Sequence, residues 1–117
     1  MRSARVRLED MAEAIAGIEQ LLTGFDLQAF SVSWPMQRAV ERALEIISEA
    51  SRKIPDDQKS AHPAIPWTEI AGIGNILRHE YHRVEPTILW NITQTHLPSL
   101  SEAIQQMLAD PANYGKN

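Results

Sequence analysis

Apolar residues recur at helical spacing along most of this chain, and they never alternate with polar residues for long enough to make a strand. Leu8, Met11, Ala12, Ile15, Ile18, Leu21 and Leu22 form one stripe, with Glu9, Asp10, Glu13 and Gln20 off it. Met36, Val40, Ala43, Leu44, Ile47, Ala50 and Ile54 form a second. A third helix is expected from Pro66 to about Tyr81. The last stripe carries Ile88, Leu89, Ile92, Leu97, Leu100, Ile104, Met107 and Leu108. Each stripe needs an apolar partner, and with no sheet available the partners are one another. The pattern predicts an all-α fold, an up-and-down four-helix bundle.

Punctuation residues divide the stripes. Gly24 suits the left-handed cap of the first helix. A second segment starts near Asp26, and Ser33-Trp34-Pro35 interrupts it. Ser33 can cap a new helix that carries Pro35 in its first turn, where a missing N–H costs little. Pro55-Asp56-Asp57 ends that helix, and 55–66 reads as a loop with a short helical turn around Asp56–Ser60. Residues 84–86 make a break, and Pro98 bends or restarts the last helix. The expectation is one domain over 1–117, with a tail that frays from about residue 111. A bundle of 117 residues is small enough for a homodimer interface to add useful burial.

Composition narrows the function classes. There is no cysteine, which removes disulfides, thiolate metal sites and a cysteine nucleophile and is compatible with the cytoplasm. The N-terminal stretch becomes an amphipathic helix studded with acids, so it does not read as a signal peptide. No window approaches the ~18 apolar residues of a membrane span. A formal net charge of −4 argues against a broad nucleic-acid-binding surface but permits a small basic site.

Residues 72–84, GIGNILRHEYHRV, hold two of the four histidines, two arginines and a tyrosine within a few positions. On a wheel at ~100° per residue, Ile70, Ile73, Gly74, Leu77 and Tyr81 share one side, with Ile76 at its margin. Asn75, Arg78, His79 and His82 gather on the other. A solvated face whose basic groups favour the helix C-terminus is one explanation. A functional site is the other. His79 and His82 at i, i+3 would need a third ligand such as His62 or His96 to hold a metal, and no metal is expected. Arg42 and Glu45 are spaced to pair on the surface, and Glu49 is placed to meet Arg42 or Arg52. Trp34, Trp67 and Trp90 are expected at the core margin or an interface. Gly72 is expected to let a neighbouring helix approach closely, and Gly74 can serve the same purpose.

The order of residue types in WTEIAGIGNILRHEYHRV resembles the HepT-like proteins of the HEPN superfamily, whose motif is written R-x4-H-x-Y. His79 and Tyr81 stand at the motif's histidine and tyrosine, and Asn75 at the asparagine that usually follows its arginine. AVERALEIISEASRKIP and HPAIPWTEI also look like the family's second long helix and the lead-in to its motif helix. The resemblance runs from Leu8 to about Leu108. One position departs from it: the motif arginine should stand at 74, where this chain has Gly74.

The resemblance implies a metal-independent endoribonuclease toxin without cofactors. It also implies a homodimer whose motif helices line a shared cleft, and a small nucleotidyltransferase antitoxin that silences the toxin by transferring AMP to Tyr81. The chemistry is coherent. Cleavage of RNA by its own 2′-hydroxyl needs a proton acceptor and donor, which a histidine supplies near neutrality, and positive charge at the phosphate. His79 is the expected proton-transfer residue and Arg78 the expected catalytic cation, with Asn75, His82 and Arg83 binding RNA or supporting the site. The missing cation can also come from Arg38, Arg42 or Arg83 of a second subunit. The alternative is a catalytically weakened or silent module that binds a nucleotidyltransferase partner.

Overall fold

The structure is a computed structural model that describes residues 4–79 and 85–111, without the side chain of His79. Among the described residues every regular element is a helix. These are α1 (Ala4–Leu22), α2 (Leu27–Ser31), α3 (Trp34–Ser51), α4 (Asp56–Ser60), α5 (Trp67–His79), α6 (Pro86–Thr95) and α7 (Leu97–Ala109). Three of the four long stripes are α1, α3 and α5, and the fourth is shared by α6 and α7. The expected tail beyond Pro111 and the end of the third stripe at Tyr81 lie outside the described residues.

The boundaries follow local chemistry. Gly24 takes φ +80°, a conformation that costs a side-chain-bearing residue more than it costs glycine, and it ends α1. The Asp26 carboxylate accepts from the Ala29 N–H at 2.8 Å and starts α2. The Ser33 hydroxyl accepts from the Met36 N–H and starts α3, with Pro35 in the first turn. Such caps satisfy N–H groups that the helix itself cannot pair. Pro98 restarts the last helix: α6 closes at His96, and the proline falls in the first turn of α7, where its missing N–H disturbs nothing.

Helix α3 is the centre of the arrangement. It packs against both α1 and α5; α7 packs against α1, and α6 packs against α2, α7 and α3. The core runs through all the long helices, with Leu8, Met11, Ile15, Val40, Leu44, Ile47, Ile70, Leu89, Leu100 and Ile104 essentially closed to solvent. Burying one such side chain is worth about 1.5–3 kcal/mol, so the shared stripe stabilises these helices more than their intrinsic propensities do. Phe30 fills the gap between α2 and α6, its ring 5.6 Å from that of Trp90. The buried Gln37 amide donates to the Phe30 and Ser31 carbonyls, tying the end of α2 to α3.

The Pro-rich loop before α5 is held from inside. The Trp67 indole N–H is shared between the Lys59 and His62 carbonyls, both at 3.1 Å. This fixes where α5 starts and hence the register at which it crosses α3. Trp67 and Trp90 pack at the core margin as expected. Trp34 is off the core margin and largely exposed, as the interface alternative requires, with the Arg38 guanidinium 5.6 Å from its ring centre.

Candidate active site between α3 and α5

On α5 the wheel divides as the spacing predicts. Ile70, Ile73, Gly74 and Leu77 are buried, while Asn75, Ile76 and Arg78 are exposed. His79 is the last described residue of α5. Tyr81, His82 and Arg83 lie outside the described residues, so their expected roles rest on the sequence.

Position 74 is where α3 and α5 come closest to interlocking. The buried Ser48 hydroxyl donates to the Ala71 carbonyl at 2.8 Å and accepts from the Gly74 N–H at 3.0 Å. One hydroxyl on α3 therefore bonds backbone groups of α5 on successive turns. The Arg52 guanidinium joins it, donating to the same Ala71 carbonyl through Nε at 3.2 Å and Nη2 at 2.8 Å. A Cβ at position 74 would stand 3.2 Å from the Ser48 Oγ, tighter than ordinary carbon–oxygen contact. Gly74 thus performs the close-approach role. Gly72 does not, because a Cβ there meets nothing within 4 Å.

The missing side chain at 74 also makes room for Arg78. Side chains on a helix lean toward its N-terminus, so residue 78 lies over residue 74. With glycine beneath it, the Arg78 guanidinium settles onto the helix: its Nη1 lies 3.2 Å and its Cζ 3.7 Å from where a Cβ at 74 would be. Asn75 holds it there, its Oδ1 accepting from Arg78 Nη2 at 2.6 Å.

A cavity of about 180 Å³ opens beside this seam. Arg42, Glu45 and Glu49 line it from α3 and Arg52 from the cap that ends α3, and Gly74 and Arg78 line it from α5, with the buried Ser48 between them. Spacings of three and four put those α3 residues on one helical stripe. The sequence pattern was visible, but its surface-pair reading is corrected. No ion pair joins Arg42, Arg52 or Arg78 to a carboxylate among the described residues. Arg52 turns two of its donors to a backbone carbonyl instead. Arg42 and Arg52 are therefore site candidates that the motif alone did not single out, since their relation to α5 exists only once the helices are docked.

Nearby, Glu41 pairs with Arg38 at 3.0 Å. Burial pushes the Glu41 carboxyl above the ordinary glutamate value; Arg38 opposes that shift and Glu45 adds to it. His96 sits where α6 meets α7, its Nε2 3.6 Å from Glu69 of α5. Among the described residues no three histidines, aspartates or glutamates are grouped to hold a metal, and no helix is long and apolar enough to cross a membrane.

The all-helical fold and the order of residue types along α5 point to one class, the HEPN-type ribonucleases. The chain matches the ribonuclease HepT-like family over residues 11–107 and belongs to it. A probable ribonuclease HepT of Thermococcus cleftensis is 42% identical over 106 residues, covering 91% of this chain and 96% of the relative. A protein of Methanocaldococcus jannaschii provisionally named an RNase is 33% identical over 104 residues, covering 89% and 95%. One of Caldanaerobacter subterraneus, named in the same way, is 31% identical over 108 residues, covering 92% and 96%. No solved structure matches the chain.

Proposed function

We propose that this member of the HepT-like ribonuclease family is an endoribonuclease that cleaves RNA without a metal ion, with His79 moving the proton and Arg78 opposing the charge on the phosphate. In this reaction the RNA 2′-oxygen forms a bond to phosphorus as the bond from phosphorus to the 5′-oxygen breaks. The proton leaves the 2′-hydroxyl for a base, and a proton is delivered to the departing 5′-oxygen. Histidine does both near neutrality, and His82, three residues on, is the second member of an acid–base pair. The observation that carries the reading is the seat of Arg78: a guanidinium rests on the helix beside position 74, one residue before the histidine. Its planar fork suits phosphate oxygens.

In this reading two copies form a homodimer and share a cleft. A nucleotidyltransferase antitoxin silences the toxin by placing AMP on Tyr81, which adds bulk and negative charge next to His79. The test is cleavage of a defined RNA in the presence of a chelator by the parent protein and by His79→Ala. The parent is expected to cut and the variant to lose at least about a hundredfold in rate, the usual contribution of a positioned acid–base group. Equal rates would remove His79 from the mechanism.

Gly74 in place of the motif arginine favours a second reading, a catalytically silent bundle that binds the nucleotidyltransferase. It predicts a stable complex with that partner and no cleavage by the parent at any concentration.

A further inference from the structure

Three arginines line the cavity between α3 and α5, and none of them is neutralised by a carboxylate ion pair among the described residues. That is unexpected in a chain with a formal charge of −4. Like charges brought together repel, and two nearby glutamates were available to separate them. Arg52 is held with its Nε and Nη2 on Ala71, which leaves its remaining donors for a ligand. Arg78 is held through one Nη2 contact with Asn75. Arg42 has no acceptor at all among the described residues. The cavity between them, about 180 Å³, is large enough for a phosphate group.

We propose that this cavity is a phosphate subsite for the RNA backbone, in which Arg42 of α3 and Arg52 at the C-terminal cap of α3 act together with Arg78 of α5. The inference rests on the nuclease reading for its choice of ligand, and it extends the site onto a helix outside the histidine motif. Glu45 and Glu49 offset two of the three charges, so the subsite is selective for a singly charged diester over a more highly charged terminal phosphate. Arg52 and Ser48 also have a positioning role, because they fix α5 and thereby the place of Arg78.

Binding and cleavage test the subsite separately. Binding to the full-length protein is followed by anisotropy, using a short RNA carrying 2′-O-methyl groups, which cannot cleave itself, between 50 and 300 mM salt. Each arginine lost from a phosphate contact is expected to lower the slope of log K against log salt by about 0.7, the value for single strands. Arg42→Gln is the clean variant, because Arg42 holds nothing in the fold. Arg52→Gln and Arg52→Lys separate charge from hydrogen bonding: the lysine should restore the slope and not the full affinity. Slopes unchanged in Arg42→Gln and Arg52→Gln would overturn the subsite. AMP binding as tightly as the RNA, with the same dependence on the arginines, would overturn the assignment to an RNA diester. A parent that cuts ordinary RNA with a KM indifferent to both arginines would keep the nuclease and remove the subsite. A parent that binds with the expected slopes and cuts nothing would keep the subsite and remove the nuclease.

Discussion

Two grooves flank α3, and they are built from opposite materials. On the α1 side the groove is large, about 530 Å³, and lined mainly by small and aliphatic residues such as Ala14, Ile18, Leu21, Ala43 and Ile46. On the α5 side it is about a third of that size, and ionic. The α1 contact is held by burial, which is strong and tolerant of small shifts. The α5 contact adds directed bonds from Ser48 and Arg52 onto the α5 backbone, close to a glycine, and these fix one register. The difference separates the part of α3 that supports the fold from the part that sets groups in place.

The largest effect should come from crossing that division. Leu44→Ala, at a fully buried site, is expected to cost about 2–5 kcal/mol in urea unfolding. Ser48→Ala should cost only about 1–2 kcal/mol but move the backbone amides of Ala71 and Gly74 in exchange or chemical-shift measurements. A Ser48→Ala cost equal to that of Leu44→Ala, with no local change at α5, would erase the contrast.

The glycines of α5 sharpen the comparison. Gly72→Ala enters open space and should raise stability by up to about 1 kcal/mol through helix propensity. Gly74→Ala should forfeit that gain, because its Cβ meets the Ser48 hydroxyl and the Arg78 guanidinium. Equal melting temperatures for the two variants would mean that the seam yields freely.

Glu41 gives the smallest effect. The fold raises its carboxyl pKa, so it favours the protonated form. Its contribution to stability is therefore fully present below the ordinary glutamate value and is lost as pH rises through the raised native one. Glu41→Gln should match the parent near pH 4 and be slightly the more stable at pH 7. A variant less stable at pH 7 than at pH 4, relative to the parent, would show that the pair with Arg38 outweighs burial.

Much of the fold was legible because helix stripes and caps are local. Gly24, Asp26, Ser33 and Pro98 act through their own backbone angles and neighbouring N–H groups, and each marks the boundary that the sequence suggested. The candidate site was legible in part. Asn75, Arg78 and His79 fall on one short motif, and the wheel separates them from Ile70, Ile73 and Leu77. Gly72 and Gly74 were indistinguishable, since a glycine's role depends on what approaches it. The Arg42–Glu45 and Glu49–Arg52 spacings suggested surface pairs because the sequence does not show that a backbone carbonyl from another helix stands within reach.

The sequence by itself determined the helices, their limits and the family, because periodicity, capping and motif spacing are properties of neighbouring residues. Only the tertiary structure decided that Arg52 turns to Ala71, that Ser48 meets Gly74, and that Arg42 and Arg78 from different helices face one cavity. Those contacts join residues about twenty to thirty-six positions apart, and the docking of α5 on α3 brings them together.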